Sequence, residues 1–280
     1  MNLSIITINQ NNAEGLRKTI ESVFAQTYND FEYIVIDGAS TDSSTQLLRD
    51  VDIRKGQNFN WISEPDTGVF HAMNKGIQQA KGDYLLFLNS GDFLVDKSVL
   101  YNVFSKCKFS EDVLCGCCRI TKNEKTIYIT NPPEIFKLSN FYKASIAHQS
   151  TFIRRSLFDK YGLYREDLKL MSDWEFWIRT IILGNATTIK IDVIISDYNL
   201  NGISSDTKNQ VLKELETEKV FTDLNLQKIV PDYQQWEYDR NDMEILNWVK
   251  LRYILYHPLC ILYRIAVRIN KHKSNHYADK

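Results

Sequence analysis

Apolar residues come in short blocks separated by polar turns. LSIITI at 3–8, FEYIVI at 31–36 and YLLFL at 84–88 are almost continuous apolar runs. Such runs read as strands covered on both faces. Between the first two blocks, Leu16, Ile20, Val23 and Phe24 recur at helical spacing, which predicts a helix over about 13–25. A further helix is expected over about 44–50, a strand over 58–62 and a helix over about 68–80. Asp66 and Thr67 can cap the last of these, with Gly82 just past its end. Strands alternating with helices imply an α/β fold, with a mostly parallel, twisted, Rossmann-like sheet covered by helices on both faces.

After Asp92 the alternation weakens. A helix is expected from Asp96 to about residue 106, and antiparallel strands at 113–120 and 125–130. A strand follows at 147–155, then a short helix over 156–161 ended by Gly162. SDWEFWIRTIILG at 172–184 reads as one strong helix, with Trp174, Trp177, Ile178, Ile181 and Ile182 on its apolar face. Strands are expected near 187–191 and 193–198, and helices over 205–223 and roughly 241–270. The organisation expected is a domain over 1–204 and a helical extension over 205–280, basic and aromatic. Within the domain, about 1–95 form one half and about 96–204 the other.

Three of the early strands run out into polar clusters: 9–12 (NQNN), 37–42 (DGASTD) and 89–92 (NSGD). In open α/β sheets this carboxyl edge is where ligands bind. The polar residues Glu64, Asp66, His71, Asn74, Lys75 and Asp92 are expected to converge on it, with His71 left as a helix-surface residue lining the cleft. No GxGxxG follows the first strand and no GxxxxGK[ST] occurs anywhere, so neither a Rossmann dinucleotide site nor a P-loop is present. Carboxylates stand where a glycine-rich phosphate cradle would. They can meet phosphate through a divalent cation, Mg²⁺ or Mn²⁺, or accept hydrogen bonds from a base or a sugar.

Bulk composition narrows the partners. The formal net charge is −1, which implies no global field for nucleic acid. Residues 250–280, however, carry seven Lys or Arg against one Asp, a net of +6. Together with Trp248, Tyr253, Tyr256 and Tyr263, this suits the cytoplasmic face of a membrane, or else a helix packed on the domain or on a second copy. MNLSIITINQ has no basic leader, and no apolar stretch is long enough to span a bilayer. Five cysteines, an odd number, then suggest reduced thiols in a cytoplasm. Cys117 and Cys118 are adjacent and would face opposite sides of a strand, and no second Cys or His pair lies at zinc spacing, so the cysteines read as structural thiols.

Taken in order, SIITINQNNAEGLRKTIESVFAQTY, FEYIVIDGASTDSS, SEPDTGVFHAMNKGI and GDYLLFLNSGDFL resemble the successive motifs of the family 2 glycosyltransferases. The likeness is to the bacterial branch of capsular, O-antigen and colanic-acid enzymes. AHQSTFIRR and MSDWEFWIRT resemble that branch's acceptor-side motifs, so the likeness spans about residues 3–200.

The resemblance implies a GT-A fold, a nucleoside-diphospho sugar donor, a UDP-sugar first among them, and a glycan or lipid-linked acceptor in cell-surface polysaccharide synthesis. It places Asn9, Gln10, Asp37, Glu64, Asp66, Asn74, Lys75 and Asn89 on the donor, with Asp37 at the base or ribose. It gives Asp92 to a divalent cation, His148 and Trp174 to the acceptor side, and Asp173 to the general base of an inverting displacement. Asp173 opens its helix, where the backbone's positive end favours an ionised carboxylate, or where it serves as a cap. Glu175 is expected on another face. This chain also departs from the pattern. Gln10 stands where an aromatic is common, the 89–92 turn keeps one carboxylate, and Met73 replaces an arginine. A sugar-1-phosphate nucleotidyltransferase would want a basic, glycine-rich loop after the first strand, and no Lys or Arg occurs before Arg17. A non-catalytic nucleotide-sugar-binding module is the other alternative, and the thinned carboxylate motif is its support.

Overall fold

The computed structural model describes residues 2–55, 58–105, 108–123, 125–199 and 209–232, and beyond them residues 235, 238, 240, 244, 257–264, 266 and 267. It divides into two compact units, Met1–Val220 and Phe221–Lys280. In the first unit, nine strands among the described residues form one sheet.

The early alternation folds as the pattern dictates. β1 (Leu3–Asn9), β2 (Phe31–Asp37), β3 (Phe59–Ser63) and β4 (Tyr84–Phe87) pair in parallel, in the order β3-β2-β1-β4. β1, β2 and β4 are buried at every position. Helices α1 (Ala13–Phe24), α2 (Ser44–Lys55) and α3 (Val69–Gln79) connect them. α3 approaches the sheet so closely that a Cβ on Gly76 would stand 2.4 Å from Ile6 Cγ2. One face of the sheet buries Leu16, Ile20 and Val23 of α1 against Ile5, Tyr33, Val35 and Leu86.

The second half departs from the parallel pattern. β8 (Thr151–Arg154) runs antiparallel to β4, and β6 (Val113–Lys122) antiparallel to β8. β7 (Lys125–Ile129) pairs antiparallel with β6, as its alternation predicts. The two strands expected near 187–198 are one strand, β9 (Thr188–Asn199), parallel to β6 with register shifts beside Cys117. A two-residue strand, β5 (Phe93–Leu94), pairs with β9 and carries no sequence signal of its own. α4 is confined to Val99–Phe104, α5 spans Leu138–Lys143, and α6 spans Ser156–Tyr161 with Gly162 at φ 88°.

The helix expected over 172–184 is α7 (Ser172–Trp177) followed by a π-helical turn, Ile178–Leu183. Thr180 Oγ1 donates to the Phe176 carbonyl at 2.7 Å, a side-chain bond that competes with the helical ladder at that point. α8 (Gln210–Asp223) closes the described helices with assigned bounds. Most of the helix expected over 241–270 lies outside the described residues, as does Cys107; residues 257–264 are helical. No helix among the described residues is long and apolar enough to cross a membrane.

Candidate active site

The carboxyl ends of β1 and β2 meet in a polar knot, in which Asn9 Oδ1 is buried with no hydrogen-bond partner among the described residues. Asp37 is fully buried. Its Oδ1 accepts from Asn9 Nδ2 at 2.7 Å and Ser40 Oγ at 2.6 Å. Its Oδ2 accepts from the Ser40 amide at 2.9 Å and Ser63 Oγ at 2.6 Å. A carboxylate offers about four lone-pair positions, and these four donors take them. The base or ribose contact that the resemblance gave Asp37 finds no acceptor position left in this arrangement. The carboxylate instead ties three strand ends together.

Around this knot the surface is polar and open. Gln10 is exposed and donates to the Gly38 carbonyl at 3.3 Å. Asp66 leans on the same turn, so that a Cβ on Gly38 would lie 2.5 Å from Asp66 Oδ2. Asp66 Oδ1 accepts from the Gly68 amide at 3.1 Å, and His71 Nδ1 accepts from the Thr67 amide at 3.0 Å. The turn before α3 is thus held by Asp66 and His71, whereas Thr67 contributes its backbone. Lys75 pairs with Glu64 at 2.9 Å and donates to the Pro65 carbonyl.

Asn74 is a correction. It is buried, its Nδ2 donates to the Tyr164 carbonyl and to Glu166 Oε1, and its Oδ1 accepts from the Tyr164 amide. Both ends of its amide are used inside the protein, fastening α3 to residues 164–166. Trp174 is a second correction. It is 4% exposed and donates its Nε1–H to the Phe141 carbonyl at 2.7 Å, so helical spacing put it in the core rather than against an acceptor.

Past β4 the surroundings change. The turn 89–92 needs Gly91, at φ 109°, to reverse direction. Asn89 Nδ2 lies 3.4 Å from His148 Nε2, while its Oδ1 is buried with no hydrogen-bond partner among the described residues. Asp92 is 7% exposed and has no salt-bridge partner among the described residues. Burial pushes its carboxyl up to about 7, against the opposing pull of His148.

His148 reaches this turn because β8 is antiparallel to β4, which places the residues before β8 at the carboxyl edge of β4. Its Nδ1 lies 3.3 Å from Asp173 Oδ2, as donor, since a carboxylate can only accept. Asp173 Oδ1 accepts from the Trp174 amide at 2.8 Å. The Asp173 side chain is 17% exposed, so its carboxylate is held at two points and still reaches the surface. Burial pulls the His148 pKa down, but Asp173 and Asp92 outweigh it and the net direction is up. Glu175 is 1% exposed and pairs with Arg179 through both oxygens, at 2.8 and 3.1 Å. It is a buried structural ion pair and no reserve base.

A hard divalent cation fits the 89–92 turn by its donor chemistry. Asp92 is a desolvated carboxylate without a salt bridge, and Asn89 offers an orphaned carbonyl oxygen. No group of three or more His, Cys, Asp or Glu among the described residues could hold an ion by itself. An ion held by Asp92 and Asn89 alone would have to complete its shell with water and substrate oxygens. Sequence reasoning missed Ser40, Ser63 and Thr19. Thr19 Oγ1 donates to the Asp92 carbonyl at 2.7 Å and accepts from the Gly91 amide at 3.0 Å. Ser40 and Ser63 had as signal a small hydroxyl near a strand end, whereas Thr19 lies within α1 and had none.

This architecture, a mostly parallel sheet with polar turns gathered at one edge, is the GT-A fold of solved transferases. Staphylococcus aureus TarS 1–349, in complex with UDP-GlcNAc, superposes with a TM-score of 0.58 at 22% identity, over 71% of this chain and 58% of that one. The mannosyltransferase PcManGT from Pyrobaculum calidifontis, in complex with GDP-Man and Mn²⁺, gives 0.54 at 14% identity, over 70% of this chain and 56% of that one. This chain therefore spans less than two thirds of either solved chain. Residues 4–167 match the family described as Glycosyl transferase family 2, to which the chain belongs. An uncharacterised glycosyltransferase of Mycobacterium tuberculosis is 32% identical over 216 residues, 72% of this chain and 77% of the relative. A Mycobacterium bovis PGL/p-HBAD biosynthesis glycosyltransferase is 29% identical over 237 residues, 83% of this chain and 90% of the relative.

Proposed function

We propose that the chain is an inverting glycosyltransferase that moves a hexosyl or N-acetylhexosaminyl group from a nucleoside-diphospho donor to a glycan or lipid-linked acceptor in cell-surface polysaccharide synthesis. A UDP-sugar is the donor expected first, because a solved structure of this fold holds UDP-GlcNAc. The observation that carries the reading is the link Asn89–His148–Asp173, which sets a surface-reaching carboxylate beside the turn that bears Asp92. The donor lies on the half over 1–95, between the Asp37 knot and the 89–92 turn, with Gln10, Asp66, Lys75 and Asn89 lining it. The acceptor enters from the half over 96–204.

Asp173 accepts the proton of the acceptor hydroxyl as that oxygen attacks the anomeric carbon. The bond from the anomeric carbon to the diphosphate breaks, and the configuration there inverts. Trp174 and His148 fix the carboxylate's two oxygens so that the accepting lone pair is aimed before the substrate arrives. General base catalysis of this kind contributes roughly 10²–10⁴-fold. A divalent cation at Asp92 and Asn89, when bound, supplies positive charge for the leaving diphosphate.

The basic region over 250–280 is proposed to rest on the cytoplasmic face of a membrane, which is where a lipid-linked acceptor would lie. Its described part, helical over 257–264, exposes Leu259, Ile261, Leu262 and Tyr263. Co-sedimentation with anionic vesicles tests this: equal pelleting of the full chain and a form ending near Asp239 would refute it. The function itself is tested by incubating the chain with UDP-, GDP- and dTDP-sugars and following nucleoside diphosphate release. Release from one donor, with product of inverted anomeric configuration by NMR, is the result expected. Binding without release would mark a non-catalytic module.

A further inference from the structure

We propose that Glu216, on α8, is a positioning residue for the transfer reaction: it sets the turn that delivers Asp173. The inference rests on the reading of Asp173 as the general base. α8 lies beyond residue 167, outside the segment that matches the family.

Glu216 is 5% exposed, and its carboxylate faces backbone rather than a cation. Its Oε1 accepts from the Lys169 amide at 2.6 Å, and its Oε2 from the Leu170 and Met171 amides at 2.9 and 3.0 Å. Three successive N–H groups thus converge on one side chain 47, 46 and 45 residues away. Met171 is the residue before α7, and its carbonyl accepts the Glu175 amide at 2.9 Å, the bond that opens the helix. Asp173 follows two residues later. The direction in which Asp173 leaves the turn is therefore set where Glu216 holds the backbone.

Neighbouring contacts point the same way. Lys219, three residues further along α8, pairs with Asp167 at 2.5 Å, and Asp167 also pairs with Arg165. Lys169 Nζ donates to the Thr67 carbonyl at 3.3 Å, on the turn before α3. Residues 165–171 are thus pinned to α8 and also reach the turn on the donor side. Upstream, Leu168 is 1% exposed and Glu166 is held by Asn74. That part of the segment has its own anchors, so removing the Glu216 carboxylate releases chiefly 169–171.

The consequence is a split between turnover and binding. A displacement of about 1 Å in a catalytic group can cost on the order of 10²-fold in rate. Glu216→Gln keeps the size of the side chain but turns an N–H₂ towards backbone N–H groups. It should lower kcat by ~10–10²-fold with donor KM within about twofold of the parent. Glu216→Asp keeps the charge on a shorter stem and should fall between the two. If Glu216→Gln does not fold, Glu216→Asp carries the same kcat test.

The assay is nucleoside diphosphate release from the active donor, run beside Asp173→Asn and the double variant. If Glu216 acts through Asp173, Glu216→Gln changes turnover by less than about twofold once Asp173 is already Asn. Parental turnover in Glu216→Gln or in Glu216→Asp, while Asp173→Asn is impaired, overturns the inference alone. An equal loss in both backgrounds also overturns it. Near-parental turnover in Asp173→Asn overturns the base assignment first, and this inference with it.

Discussion

Asp37 ends β2 and Asp92 lies on the turn past β4, with β1 between the two strands; both are buried, and their surroundings are opposite. Asp37 accepts four hydrogen bonds from Asn9, Ser40 and Ser63. Asp92 has no salt bridge among the described residues, burial raises its carboxyl to about 7, and the amide oxygen of Asn89 on the same turn is orphaned. A saturated carboxylate is a strut, because no lone pair remains for a ligand. A desolvated carboxylate without such a set of side-chain donors is one that a bound cation can stabilise. Asp173 lies between these extremes, held at both oxygens yet still reaching the surface.

The comparison predicts which substitutions hurt folding and which hurt chemistry. The largest effect is expected at Asp37. Asp37→Asn turns an N–H₂ towards groups that are themselves donors, and each buried donor left unpaired costs ~1–3 kcal/mol. Chemical denaturation should show a loss on the order of 2–4 kcal/mol. Parental stability with weakened UDP binding would break the comparison and return Asp37 to the nucleotide.

Next comes Asp173→Asn, with turnover down by at least ~10²-fold while thermal melting and donor KM stay parental. Asn keeps a side-chain oxygen for the Trp174 amide, so little stability is lost. Glu175→Gln is no neutral control here, because it breaks the buried pair with Arg179 and should lower the melting temperature.

Asp92→Asn should leave stability unchanged or slightly raised, since it removes a desolvated charge, while lowering activity by roughly tenfold or more. Excess EDTA should depress the parent in the same way. Full activity in EDTA and in Asp92→Asn together would remove the cation from the scheme.

The smallest effect is expected at Asp167, which is half-exposed. Hydrogen bonds and charge from Arg165 and Lys219 hold its carboxyl below the usual range. A depressed folded pKa contributes stability above the unfolded value of ~3.9, which is lost as pH falls below that value. Asp167→Asn should therefore lower stability at pH 7 by less than ~1 kcal/mol, with the difference vanishing in acid. A constant difference from pH 7 to pH 2 would contradict the ion-pair explanation.

Much of the first half was legible in the sequence because its signals are local. Runs such as FEYIVI and YLLFL announce buried parallel strands, and the polar turns that follow them announce the ligand edge. α1 appeared where the apolar spacing put it and α3 close behind its turn residues, whereas α2 runs to Lys55, past the end expected near residue 50. The second half was harder to read. A parallel strand over 147–155 would have carried His148 to the opposite edge of the sheet. Only the antiparallel pairing of β8 with β4 brings it to Asn89.

By itself, then, the sequence determined which segments are buried, where the chain turns, and which polar residues crowd the strand ends. Periods of two and 3.6 residues and turn chemistry are written within a few positions of one another. The tertiary structure decided which of those polar residues are already spent. Asp37 is saturated by Asn9 and Ser63, 28 and 26 residues away; Asn74 by Tyr164, 90 residues away; the 169–171 turn by Glu216, at least 45 residues away. Hydrogen-bond satisfaction depends on distances of about 3 Å between groups remote in the chain, and only a folded sheet fixes those distances.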